Sequence, residues 1–120
     1  MHPLLPVMAG GAIGAALRYA AGALMAGRSG WPWGTFAVNL AGGFAMGLLA
    51  ALVLRGSVSD SMRLFAGVGI LGGFTTFSAF SLESFEMIER GQWGLASGYA
   101  ATSVAGSVAA LALGFWIARA

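Results

Sequence analysis

The chain has 120 residues, of which 58% are hydrophobic and only 8% charged. Soluble domains carry about 25% charged residues, so this composition, with a mean hydropathy of +0.84, excludes an ordinary soluble domain and describes an integral membrane protein. The net charge is +2, all six cations are arginine and form no run suited to nucleic acid, and the lack of cysteine removes disulfides and thiolate metal sites.

Four apolar stretches follow one another, each near or above the ~20 residues that cross a bilayer. The whole chain, residues 1–120, therefore reads as one four-helix transmembrane subunit. The first stretch covers residues 4–26 and is interrupted by Arg18 and Tyr19. A cleaved signal peptide is its competing reading. The leading region offers only the amino terminus and His2, and Arg18 falls inside the apolar run, so both features oppose cleavage. The second stretch covers residues 35–54, with Asn39 as its one strongly polar interior residue. Thr35, Asn39 and Gly43 are four apart and share a helix face. The Asn39 amide offers two donors and an acceptor. It reads either as an interhelical hydrogen bond worth about 1 kcal/mol or as a donor lining an anion path, and the chemistry leaves both open.

The third stretch, residues 62–88, holds the most informative run: Gly72, Gly73, Phe74, Thr75, Thr76, Phe77, Ser78, Ala79 and Phe80. Glycines, threonines and a serine are poor helix material, so the run predicts a broken third helix at membrane depth. Backbone freed in hydrocarbon costs several kcal/mol per group. Such breaks survive where they line a cavity or bind an ion, which makes this run a predicted site. Phe77 and Phe80 are three apart; such rings ordinarily face core or lipid, but their positive edges can touch an anion. Glu83, Glu86 and Glu89 follow at helical spacing and read as a solvated last turn, with Glu86 paired to Arg90 at i+4. The fourth stretch, residues 94–117, carries Tyr99, Ser103 and Ser107 at i, i+4 and i+8, with Thr102 beside them. Hydroxyls in helices can bond back to the i−4 carbonyl; three in register point instead to a facing cavity.

The connections, residues 27–32, 55–60 and 90–92, are short and carry glycine, with proline in the first. Trp31, Trp33, Trp93 and Trp116 fall near span ends, where amphipathic rings favour the interface. Gly10/Gly14, Gly43/Gly47 and Gly69/Gly73 are GxxxG pairs that favour close helix contact. With four spans both termini lie on one side, with Arg55, Arg63 and Arg119. Arg28 and Arg90 lie on the other, joined by Arg18 if it snorkels outward. This near-even tally gives little positive-inside bias. It permits insertion in both orientations and an antiparallel dimer, the two-chain equivalent of an inverted repeat. No metal-ligand spacing, catalytic triad or phosphate loop is present, so the chain does not read as an enzyme.

Four blocks carry a resemblance: GGAIGAALRY at residues 10–19, GTFAVNLAG at 34–42, GILGGFTTFSAFSLE at 69–83, and the Tyr99, Ser103, Ser107 stripe. They span nearly the whole chain, and the third block is highly specific. In them the chain resembles the Fluc (CrcB) family of fluoride channels, with Ala79 standing where threonine is common. The resemblance implies a dual-topology antiparallel homodimer of four-helix subunits in the bacterial inner membrane, passing fluoride passively through two pores. It places Asn39, Phe77, Phe80, Tyr99, Ser103 and Ser107 in the pore, with Thr76 contributing. It places Arg18 and Glu89 at the vestibule, Arg18 alternatively in a structural role. It implies a structural sodium ion at the dimer centre, held by backbone carbonyls matching Gly72 and Thr75 of both subunits. Two other classes fit the same four spans: a small dual-topology exporter, and a non-conducting partner subunit of a heterodimer. Such an exporter usually keeps a membrane-embedded acid in its first span, where this chain has Arg18.

Overall fold

The computed structural model describes residues 2–26 and 30–119, and within them every regular element is helical. Helix α1 is Leu4–Leu24 and α2 is Trp33–Leu54. Helix α3 covers residues 60–74, α4 is Phe77–Glu89 and α5 is Trp93–Arg119. Four segments are long and apolar enough to cross a membrane: Leu4–Leu24, Trp33–Leu54, Asp60–Glu89 and Trp93–Arg119. Their bounds follow the apolar stretches to within a few residues. The predicted connection at residues 27–32 includes Gly27, Arg28 and Ser29, which lie outside the described residues, as does the position of Arg28 in the charge tally.

Local chemistry sets the helix ends. Gly56 and Gly91 adopt φ of 72° and 76°, a left-handed conformation that glycine takes without penalty. Each closes a helix by paired reverse bonds: Gly56 N to Val53 O and Ser57 N to Leu52 O, then Gly91 N to Ile88 O and Gln92 N to Met87 O. Ser59 caps the start of α3 by accepting from the Met62 amide at 3.1 Å. The middle of α3 is unusual. Over Arg63–Leu71 it is wound as a π-helix, and the Gly72 amide donates back five residues to the Gly67 carbonyl.

The helices pair by register rather than by chain order. Gly43 of α2 meets the Ser107 carbonyl of α5, and Gly47 meets the Leu111 carbonyl, so contacts rise together and α2 runs parallel to α5. Gly10 and Gly14 of α1 meet α3 at Gly69 and Ile70 in the same rising order. Two parallel pairs, first with third and second with fourth, therefore build the bundle. Glycine makes this approach possible. A methyl on Gly14 would overlap the Ile70 carbonyl oxygen, and one on Gly47 the Leu111 carbonyl oxygen. All three GxxxG pairs thus lie at these seams.

The outer surface is apolar. Leu5, Leu17, Val68 and Val108 are 50%, 50%, 51% and 64% exposed, which suits contact with hydrocarbon. The buried core is small and gathers Met87, Ala96 and Tyr99, with Trp31, Phe36 and Phe80 packed around them. Between lipid-facing helices the hydrophobic effect contributes little, so backbone-to-backbone proximity at glycine seams does most of the holding. Gly47→Val should therefore push α2 off α5 and destabilise the fold by about 1–3 kcal/mol. Thermal unfolding in detergent measures this, and a wild-type midpoint would contradict the seam.

Candidate functional site

Between α3 and α4 two residues leave the helix. Thr75 and Thr76 have ψ of 156° and 121°, extended backbone that interrupts the 3.6-residue ladder. Asn39 of α2 meets them. Its Nδ2 donates to the Thr76 carbonyl at 3.1 Å, and its Oδ1 accepts from the Thr76 amide at 2.8 Å. One side-chain amide thus pairs with one peptide in both directions, which also settles which end of the amide is oxygen. Gly42, one turn along α2, leaves room for Thr75: a methyl there would strike the Thr75 Cγ2. The Thr75 hydroxyl returns to the Leu71 carbonyl at 2.9 Å. The Thr76 hydroxyl accepts from the Ala79 amide at 3.2 Å and caps α4.

This arrangement redirects backbone donors. In an unbroken helix the Thr76 amide would close onto the Gly72 carbonyl, and the Ala79 amide onto the Thr75 carbonyl. Here the first goes to Asn39 and the second to the Thr76 side chain. The Gly73 carbonyl accepts instead from Arg18 Nε of α1 at 3.1 Å. Arg18 is half-buried and lines a groove of about 350 Å³ with Thr35, Thr76 and Ala79.

On the other side of the extended pair lies a groove of about 390 Å³. Asn39, Thr76, Phe77, Phe80, Ser103 and Ser107 all line it, together with Thr75 and apolar residues of α5. Thr76 therefore borders both grooves. The Phe77 and Phe80 rings lie 5.6 Å apart at 39°. Ser103 is buried, and its hydroxyl oxygen has no hydrogen-bond partner among the described residues. A buried, unpaired hydroxyl costs stability, and Ser103 carries one beside the groove.

Other predicted residues stand elsewhere. Tyr99 does not line this groove. It is 0% exposed, packs against Phe80 at 5.1 Å, and donates its hydroxyl to Glu83 at 2.9 Å. The hydroxyl stripe of α5 is thereby split, with its serines at the groove and its tyrosine sealed behind Phe80. Glu89 is exposed at the end of α4 and away from the groove lining. Gly72 is exposed near the extended pair.

The acidic turn differs from its expected form. Glu86 and Glu89 are exposed as expected, but Glu83 is half-buried and its carboxylate accepts from Thr35 Oγ1 and from Tyr99 OH, each at 2.9 Å. Nor does Glu86 pair with Arg90: the Arg90 Nε donates to Gln92 at 3.1 Å, and the one ion pair among the described residues is Arg63–Asp60. Helical spacing predicts an i, i+4 pair only when both side chains are free to meet, and the turn at Gly91 carries Gln92 within reach of Arg90. The role of Glu83 was missed because spacing along one helix says nothing of Thr35 and Tyr99 on two others.

A family model described as CrcB-like protein, Camphor Resistance (CrcB), matches residues 5–115. Among curated relatives, the "Fluoride-specific ion channel FluC" of Mesorhizobium japonicum is 50% identical over 121 residues, covering 99% of this chain and 98% of its own. The protein of the same name from Phenylobacterium zucineum is 55% identical over 123 residues, covering 99% and 97%. That of Caulobacter sp. (strain K31) is 54% identical over 123 residues, covering 99% and 96%.

The pairing at Thr76 is open to a direct check. Asn39→Ala removes both bonds and leaves a peptide unpaired inside the bundle, which should destabilise the protein by about 1–3 kcal/mol. Asn39→Asp keeps an acceptor for the Thr76 amide but sets an oxygen against its carbonyl, so it should not rescue. Unfolding in detergent reads both variants, and an unchanged midpoint in Asn39→Ala would remove the clamp.

Proposed function

The chain belongs to the CrcB-like family of multi-pass membrane proteins, and from that premise we propose that it is a fluoride-selective channel conducting passively across the bacterial inner membrane. The family is one of ion channels and not of enzymes. The observation that carries the proposal is the composition of one groove: side chains with amide, hydroxyl and aromatic groups line it, and no charged side chain among the described residues does.

Fluoride is small and holds its water tightly, so stripping that water is costly unless other donors replace it at once. The groove offers such donors in series. Asn39 spends one Nδ2 hydrogen on Thr76 and keeps the second. Ser103 and Ser107 stand on the same wall, and Phe77 and Phe80 line it with rings whose edges carry partial positive charge. Tyr99 acts on this wall through Phe80, against which it packs. A fixed cation in the path would hold the ion too firmly, since conduction needs several weak sites. Arg18 instead leans on the Gly73 carbonyl in the neighbouring groove, where it draws anions toward Thr76 from the vestibule. Glu89, exposed at the end of α4, belongs to the outer vestibule. Chloride is rejected by the width of a stiff, aromatic-walled passage.

A second copy completes the path. The groove lies open along one side, and Phe77, Val104 and Val108 beside it are 78%, 62% and 64% exposed. An antiparallel partner covering this face converts a groove into a tunnel. The near-even distribution of arginine about the membrane supports insertion in both orientations. Sodium fits the broken third helix in the same dimer. The Gly72 and Thr75 carbonyls have lost their helical donors to Asn39 and to the Thr76 hydroxyl. A hard cation takes oxygen ligands of this kind, and these carbonyls from two chains would hold it. Such an ion would supply positive charge to the freed carbonyls and join the subunits.

Purified protein in liposomes should release fluoride far faster than chloride, as an ion-selective electrode records; equal rates would end the selectivity argument. Phe77→Ile or Phe80→Ile should cut fluoride efflux sharply while the dimer elutes unchanged. Normal efflux in both variants would clear the rings of any part in conduction.

A further inference from the structure

Trp31 departs from the other tryptophans of the chain. Trp33, Trp93 and Trp116 are 48%, 63% and 59% exposed, as rings at a membrane boundary are. Trp31 turns inward instead. It meets Tyr99 edge-on at 5.3 Å and 81°, Phe36 edge-on at 5.4 Å and 76°, and Trp33 at 6.0 Å. Its carbonyl accepts from the Trp33 amide at 2.9 Å, which ties its backbone to the start of α2.

The contacts continue toward the groove. Tyr99, fully buried, lies between the Trp31 indole and the Phe80 ring, at 5.3 Å and 5.1 Å. Phe80 lines the groove and has Phe77 as its other ring neighbour, but Phe77 is 78% exposed and gives it little backing. Tyr99 is therefore the buried ring against which Phe80 packs. Tyr99 is fixed at its hydroxyl by Glu83 and on its ring by Trp31. Close-packed interiors transmit displacement because they have no slack to absorb it.

We propose that Trp31 is a positioning residue for halide selection: from outside the groove it holds Tyr99, and through Tyr99 the edge of Phe80. The proposal rests on the fluoride-channel reading. It makes Trp31, which is not among the residues lining the groove, a determinant of which anion passes.

The test compares wild type, Trp31→Phe, Trp31→Leu and Trp31→Met as full-length protein in liposomes, with fluoride and chloride efflux both measured. Trp31→Phe keeps a flat ring against Tyr99 and should stay within about twofold of wild type. Trp31→Leu and Trp31→Met fill volume without a ring; fluoride efflux should fall about tenfold, since small misplacements of a positioned group carry such costs, and the fluoride-over-chloride ratio should narrow. Two hydrophobic replacements guard against one failing to fold. A loss of folded protein with an unchanged ratio in the surviving channels would mean ordinary packing and overturn the proposal, as would wild-type efflux in either variant. A wild type that passes no fluoride would overturn the channel reading and this proposal with it; a conducting wild type with indifferent variants overturns this proposal alone.

Discussion

One side-chain amide holds the centre of this molecule together. Where α3 ends and α4 begins, the chain gives up helical bonding, and Asn39 restores it by pairing both ways with the Thr76 peptide. In hydrocarbon an unpaired peptide costs several kcal/mol, so the interruption is tolerable only with such a partner. The pairing then dictates what surrounds it. Gly42 must lack a side chain so that Thr75 can approach α2. The Thr76 hydroxyl is free to start α4, and the Gly73 carbonyl is free to take Arg18. Asn39 is thus an interhelical tie, the first of the two readings its chemistry left open, and it also lines the groove.

The bundle is stabilised differently from a soluble domain. Its fully buried core is a small aromatic and methionine cluster at one end, and many large apolar side chains point outward. Cohesion comes instead from glycine seams that bring α1 onto α3 and α2 onto α5 in parallel pairs. That leaves the faces between the pairs less tightly filled, and the two grooves that meet at Thr76 lie there. Close packing at the seams and open space at the polar line are two results of the same distribution of small residues.

Much of this was legible in the sequence. The number, length and order of the spans follow from apolar runs longer than a bilayer and from glycine-marked turns, both local properties. The polar residues of the groove stood out because hydrocarbon makes any buried polar group expensive, so Asn39, Thr76, Ser103 and Ser107 could be weighed singly. Their convergence was not legible. Helical spacing put Tyr99 on the serine face, yet the tertiary packing closes it behind Phe80, because a ring that size fills the space between Trp31 and Phe80. Glu83 looked like surface charge for a similar reason: its two donors come from α2 and α5.

Interactions between neighbours along the chain account for membrane residence, the four spans and the segment least able to stay helical. The tertiary structure alone decided which polar groups meet. It joined Asn39 to Thr76, Arg18 to Gly73, and Thr35 and Tyr99 to Glu83, across 37, 55, 48 and 16 residues of chain. Such partners are selected by helix register and by the depth at which glycine lets backbones approach, quantities of the folded bundle that no single span contains.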